Sequence, residues 1–344
     1  MRIVGVTGGV DTHADNHVAT AVDHNGGLLG IESFPATETG YEDLLVWLVG
    51  FGPVKQIGVE GTGSWGVGLS RFLADHDVTV VEVDRPNRQK RRKHGKSDPT
   101  DAVAAARAAL SGEASVTPKS RDGRVEEMRV LLVARRSARQ QRIQSLNQLR
   151  HLVFTAPEEI RVRFKDRPKR GLVSEAANMR PRKGSDPVTY TTNLVIRNLA
   201  RRIKHLDTEM RTIDETLRSL INETAPALLE MYGVGVDTAA TLLVTAGDNP
   251  QRLHNERSWA HLCGVTPLPA NSGKTTTKFR LNRGGDRQAN AALYRVVLTR
   301  MSSDEETRTY VTRRREKGLS TPEIMRCLKR YVARQTYKHL PHMI

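Results

Sequence analysis

The spacing of apolar positions changes twice along the chain, and those changes divide it into three parts. In the first, short apolar runs alternate with short helical patterns. Ile3 to Asp11 reads as a glycine-rich strand and His17 to Val22 alternates as a second. Leu28 to Phe34 forms a third, after the strong hairpin turn Asp23-His24-Asn25-Gly26-Gly27. Tyr41 to Val49 has helical spacing, Val54 to Glu60 returns as a strand, Trp65 to Ala74 as a helix and Val78 to Asp84 as a strand. A helix over Asp98 to Leu110 completes the series. Ser97 or Asp98 can cap it, Pro99 suits its first position, and Ala102 to Leu110 is alanine-rich. The order β-β-β-α-β-α-β-α predicts a mixed sheet with helices on its faces.

The second part is helical. Pro118 to Asp122 is a turn-rich linker, and Val125 to Val153 carries an apolar seam (Val125, Met128, Leu132, Leu146, Leu149, Val153) interrupted by arginines. Arg161 to Pro187 is basic and broken by Pro168, Pro181 and Pro187, which predicts a loop or a poorly ordered segment. The cleanest periodicity follows. Ile196, Leu199, Ile203, Leu206, Met210, Ile213, Leu217 and Leu220 step by threes and fours, a heptad seam that predicts a coiled coil or long helical hairpin. Pairing with the Val125 helix and dimerisation both satisfy that seam. The matched lengths favour a hairpin stalk that also contacts a second subunit. In the third part, Gly233-Val234-Gly235 precedes an apolar helix over Thr238 to Thr245 and looks like half of a helix-hairpin-helix element. The boundaries expected from these changes are 1–115, 116–229 and 230–344.

Charge narrows the partner. The net charge of +16 is spread along the chain, which favours a polyanion: nucleic acid first, an anionic membrane surface second. No apolar run reaches the length of a membrane span and no signal-peptide pattern is present, so a cytoplasmic protein is expected. Two cysteines, Cys263 and Cys327, build neither a disulfide framework nor a zinc cluster. Arg129, Arg135, Arg136, Arg139, Arg142 and Arg150 lie where no acid occurs between Glu127 and Glu158, and predict a phosphate-facing surface.

Against this basic background four acids fall at chosen points. Asp11 ends the first strand, Glu60 ends the fourth, and Asp98 and Asp101 open the last helix on one side of its first turn. If the first and fourth strands are neighbours and the helix packs across them, four carboxylates converge. Such a cluster suits divalent metal ions acting on phosphate. The order and the acids resemble the ribonuclease-H/RuvC-like nuclease fold. Gly61-Thr62-Gly63-Ser64-Trp65-Gly66 also satisfies G-x-G-x-x-G, with Asp84 near the distance of a ribose-binding acid, so a nicotinamide-dependent enzyme is the rival. Glu60 beside a pyrophosphate and the preceding hairpin weigh against it. His13 and His17 span a strand and turn and are expected at the surface or in the hairpin. Gly273-Lys274-Thr275 mimics the end of a P-loop, but Leu268 stands where a glycine is required. Ser272 lies in that basic stretch with no base nearby in sequence.

The whole chain resembles transposases of the insertion sequence 110 family. The residues that carry the resemblance are Gly9-Val10-Asp11-Thr12-His13, Val59-Glu60-Gly61-Thr62-Gly63-Ser64 and Gly95-Lys96-Ser97-Asp98-Pro99-Thr100-Asp101-Ala102. In the last third they are Gly264-Val265-Thr266-Pro267, Ser272-Gly273-Lys274-Thr275 and Arg280-Leu281-Asn282-Arg283-Gly284-Gly285-Asp286-Arg287-Gln288-Ala289-Asn290, and Arg326 to Arg334 completes the match. The resemblance implies a RuvC-like domain with a DEDD set, a coiled coil and a mainly α C-terminal transposase domain. It implies that Asp11, Glu60, Asp98 and Asp101 bind Mg²⁺ and that Ser272 forms a phosphoserine link with DNA. It further implies target and donor DNA, a structured noncoding bridge RNA as guide, and dimers that pair into a tetramer. Arg135, Arg136, Arg139, Arg142, Gly233, Gly235, Lys274, Arg280, Arg283 and Arg287 are the expected nucleic-acid contacts. A RuvC-like structure-specific nuclease that uses water in place of Ser272 is the alternative.

Overall fold

A computed structural model describes residues 5–83, 98–182, 184, 186–249, 252–269, 279–282 and 284–341. They form two compact units. The first holds the described residues up to Gly123 together with Ala246–His254; the second holds Arg124–Thr245 and Asn255–Pro341.

The first unit is a five-stranded sheet with helices. Its strands are β1 (Val6–Thr12), β2 (Asn16–Val22), β3 (Leu28–Pro35), β4 (Val54–Glu60) and β5 (Val80–Val83), in spatial order β3-β2-β1-β4-β5. The hairpins β1–β2 and β2–β3 are antiparallel, whereas β4 pairs parallel to β1 and β5 parallel to β4. The first and fourth strands are therefore neighbours, as their order predicts. Asp23 closes the β2–β3 turn by accepting at Oδ1 from the backbone N–H groups of Asn25 and Gly27, both at 2.8 Å. Helices α1 (Glu38–Phe51) and α2 (Val67–Asp75) supply Leu44, Leu48, Leu69 and Leu73 to a core shared with Val6, Val10, Ile57 and Val59. Trp65 stays in the turn before α2 and is exposed. His17 lies in the β1–β2 hairpin, one of the two positions expected of it, and not at the surface. It is fully buried on β2 and stacks on Tyr41 of α1 at 5.6 Å and an interplanar angle of 3°, because its strand position turns inward.

One helix is seated differently. α3 (Asp98–Leu110) lies so close to the sheet that a Cβ on Gly9 would stand 2.2 Å from the backbone N of Ala106, and one on Gly58 2.6 Å from the carbonyl of Ala105. Glycines on β1 and β4 meet a buried alanine face (Ala102, Ala105, Ala106, Ala109), so backbone rests almost on backbone. Ala246–His254 is fixed to this unit by Asn249, whose Nδ2 donates to the carbonyl of Pro118 at 2.7 Å, and by Arg252, which donates to that of Thr117 at 3.2 Å.

The second unit is mainly helical. α4 (Arg124–Thr155) and α7 (Pro187–Thr224) lie side by side. Their ion pairs Arg124–Glu223, Arg135–Asp214 and Arg142–Asp207 advance on one helix as they retreat on the other, so the pair is antiparallel. All but Met210 of the eight seam residues from Ile196 to Leu220 are buried. Between these helices the expected loop is corrected in part: two short helices, α5 (Glu158–Phe164) and α6 (Lys169–Ala177), interrupt it, and residues 165–168 and 178–182 stay non-helical. The prolines start helices here: Pro157 and Pro168 are N-caps, and Pro187 opens α7 after Asp186, whose carboxylate accepts from the N–H of Thr189. Ile160, Phe164, Leu172, Val173 and Ala176 join Ile196, Ala200 and Ile203 in one core.

The remainder comprises α8 (Ala227–Glu230), α9 (Val236–Ala246), α10 (Glu256–Leu262), the short strands β6 (Pro267–Pro269) and β7 (Phe279–Leu281), α11 (Arg287–Ser303), α12 (Glu305–Glu316) and α13 (Thr321–Tyr337). Trp259 is fully buried and donates from Nε1 to Thr336 Oγ1 at 3.2 Å, joining α10 to α13. No helix among the described residues is long and apolar enough to cross a membrane.

Candidate functional site

The ladder between β1 and β4 ends at the pair Val10–Val59. Asp11 and Glu60 each follow by one residue, so they hold matching positions at the ends of adjacent parallel strands, and each is 6 % exposed. Thr12 Oγ1 donates to the carbonyl of Glu60 at 2.8 Å and ties the two strand ends together. The close seating of α3 brings its first turn to the same place. Asp98 there is half exposed and Asp101 buried.

A histidine joins the acids. His13 Nε2 lies 3.2 Å from Asp11 Oδ2 and 3.4 Å from Asp98 Oδ1. Asp11, His13 and Asp98 offer ligand atoms all within 4.8 Å of one another, a group able to hold a metal ion. The sequence places His13 only at the surface or in the hairpin. The period of two was the available signal, because residues 11 and 13 of an extended segment face the same side. Burial pushes the Asp11 carboxyl above its usual range; His13 opposes that, while the charges of Asp101 and Asp98 add to it. Crowded carboxylates with partial burial are the donor set of a hard divalent cation, which would reverse that shift.

The glycine-rich turn after β4 closes on itself. The N–H groups of Ser64 and Gly66 both donate to the carbonyl of Gly61, at 2.8 and 3.1 Å. Those amides are spent within the turn, which argues against a pyrophosphate cradle there.

In the helical unit the sequence-predicted residues separate into two kinds. Arg135 donates from Nε and Nη2 to Asp214 and from Nη1 to Asp237, and its side chain is only 17 % exposed. Arg142 pairs with Asp207, and Arg136 Nη2 lies 3.4 Å from Thr241 Oγ1. Arg139, Arg280 and Arg287 are exposed, and Gly233 and Gly235 occupy the turn that opens α9. Ser272, Lys274 and Arg283 lie outside the described residues.

The elements flanking Ser272 are firmly joined. β6 and β7 pair antiparallel, Pro267 with Leu281 and Pro269 with Phe279, and so bracket residues 270–278. Asn290 Nδ2 donates to the carbonyls of Cys263 and Gly264, both at 3.0 Å, and Asn282 Nδ2 donates to that of His261 at 3.0 Å. Gly285 lies against Gly264 so closely that a Cβ would stand 2.2 Å from the Gly264 N. Two motif blocks separated in sequence thus lie against each other.

Residues 8–156 match the transposase family model of DEDD, IS110 type, and residues 225–312 match the model described as transposase IS116/IS110/IS902 family. An uncharacterized 43.6 kDa protein of the IS110 insertion element of Streptomyces coelicolor is 33 % identical over 137 residues, 38 % of this chain and 33 % of that protein. An uncharacterized 42 kDa protein of the IS900 element of Mycobacterium paratuberculosis is 29 % identical over 126 residues, 36 % of this chain and 32 % of that protein. The chain thus spans about a third of the length of the curated relatives it matches. The two models found in order are of one class of protein, the transposases, the first of them of DEDD type. Within it, the chain belongs to the IS110 family.

Proposed function

We propose that the chain cuts and rejoins DNA strands at an insertion element, with residues 1–115 folded as an RNase H/RuvC-like catalytic domain. Residues 116–229 are its stalk and 230–344 its C-terminal transposase domain. The observation that carries the reading is the meeting of Asp11 and Asp98 beside Glu60 and Asp101 in a chain of net charge +16. The strand order β3-β2-β1-β4-β5 supports the fold assignment.

Asp11, Glu60, Asp98 and Asp101 would hold Mg²⁺, with His13 hydrogen-bonded to Asp11 and its Nε2 close to Asp98. The ion supplies charge neutralisation at the phosphoryl group and a lowered pKa for the attacking hydroxyl. Ser272 is the nucleophile: a bond forms from its Oγ to phosphorus as the phosphorus bond to one deoxyribose oxygen breaks. The serine proton ends on that departing oxygen. A phosphoserine link retains the energy of the phosphodiester, so rejoining by the reverse displacement needs no nucleotide cofactor. By resemblance, a structured bridge RNA selects target and donor DNA, and the acids and the serine of one site come from different subunits of a dimer, two dimers forming the synaptic tetramer. The work is done in the cytoplasm, at the nucleoid.

The test is a strand-cleavage assay with Mg²⁺, element-end DNA and the noncoding RNA that flanks the reading frame. Ser272→Ala should abolish the covalent protein–DNA adduct while nucleic-acid binding persists, and Asp98→Asn should abolish cleavage without unfolding. Cleavage by Ser272→Ala would move the assignment to a RuvC-like nuclease that uses water. Unchanged cleavage by Asp98→Asn would remove the acids from the chemistry.

A further inference from the structure

The helical unit carries an open groove of about 440 Å³, walled by α11, α12, α13 and the turn before α9. Its volume lies within the range of about 300–1,000 Å³ over which small-ligand sites occur. The lining is unusual for this chain. Aromatic residues are 5 % of the sequence, yet Tyr232, Tyr310 and Tyr331, three of its seven tyrosines, meet there. Tyr232 and Tyr331 are 51 % and 49 % exposed, so the groove presents rings to solvent instead of sheltering them.

Those rings are held in place. Tyr232 donates its hydroxyl to Ser303 Oγ at 2.8 Å and accepts at its carbonyl from Arg300 Nε at 2.9 Å. Tyr310 and Tyr331 pack edge to face at 5.9 Å, and the Arg313 guanidinium lies 5.7 Å over the Tyr310 ring. Exposed aromatic faces whose positions are already fixed lose little entropy on stacking, and stacking accepts any base.

Charge decides which part of a nucleotide enters. Asp304 and Glu306 line the same groove and repel phosphate, whereas a carboxylate accepts from the exocyclic amine of a base. Arg300 is already engaged, donating to Gln335 and Tyr232. Arg313 is exposed and suits a phosphate outside the groove.

We propose that this groove holds an unpaired nucleobase of a single-stranded segment, RNA or DNA, stacked against its exposed tyrosines, with Arg313 on an adjoining phosphate. The inference rests on the nucleic-acid function proposed above and adds a site apart from the carboxylates. It is tested with the full-length chain in chelator, where no cleavage occurs, and short single strands containing 2-aminopurine, whose fluorescence falls on stacking. The wild-type chain should quench the probe. Tyr331→Ala and Tyr232→Ala should each weaken binding about tenfold and lose the quenching, and Tyr331→Phe should keep both. Circular dichroism and melting confirm that each variant is folded. Ribose and deoxyribose strands of one sequence identify the source by the tighter of the two. Unchanged affinity and quenching in both alanine variants would overturn the proposal. Binding of duplex DNA with no binding of single strands would overturn it while leaving the transposase reading intact. No binding of any nucleic acid would sink both.

Discussion

The two units handle charge in opposite ways. In the sheet unit, burial raises the Asp11 carboxyl, the nearby charges of Asp101 and Asp98 add to the rise, and His13 is the one titratable partner that opposes it among the causes of the shift. In the helical unit, arginines are matched: the partly buried Arg135 with Asp214 and Asp237, Arg142 with Asp207, and Arg330 and the exposed Arg334 with Glu256. Matched charges hold helices together and are complete in themselves. Crowded like charges cost stability, and they persist where something outside the chain completes them. The comparison therefore separates charges that serve the fold from charges that serve chemistry.

Substitutions can break or sharpen that contrast. The largest effect is expected where the crowding is built: Gly9→Val drives two methyl groups into the α3 backbone and should destabilise the sheet unit by about 3 kcal/mol. Chemical denaturation would show it, and strand cleavage should be lost with it because Asp98 and Asp101 move with the helix. Next comes Arg135→Ala, which leaves Asp214 without its cation in a partly buried place, while Asp237 keeps Arg295. A loss of about 2 kcal/mol is expected, between the values for exposed and buried pairs. Asp11→Asn should do the reverse and stabilise the metal-free chain by about 1 kcal/mol, since it removes a buried charge repelled by its neighbours. If its melting temperature fell instead, the acids would belong to the fold and the contrast would fail.

The smallest effect concerns pH. Burial pushes the Glu256 carboxyl up, but Arg330 and Arg334 more than offset this and hold it below its ordinary value. A lowered folded-state value means stability that is present above the unfolded carboxylate value and lost as pH falls through the folded one. Melting temperature against pH should therefore drop less steeply on the acid side for Glu256→Gln than for the wild-type chain. Parallel curves would show that the pair contributes nothing to acid sensitivity.

The sequence was informative wherever a residue type and a period coincide. The alternating strands and the turn at Asp23 to Gly27 located the sheet, and the steps from Ile196 to Leu220 located α7, because both patterns are set by local backbone geometry and burial of one face. Asp11, Glu60, Asp98 and Asp101 were legible as acids at element ends. Proline misled between Arg161 and Pro187: the same ring that interrupts a helix also opens one, and only the neighbouring apolar partners show which applies. The arginines of α4 could not be sorted by composition, since their acidic partners lie on α7 and α9, more than sixty residues away in sequence.

By itself, then, the sequence determined most of the elements and the acids at their ends. It could not determine that His13 faces Asp11 and Asp98, that His17 is buried, or which arginines are already paired. Those facts depend on contacts between segments far apart along the chain. A local pattern prescribes the direction of a side chain relative to its own backbone, and only the packed tertiary structure decides what stands opposite it.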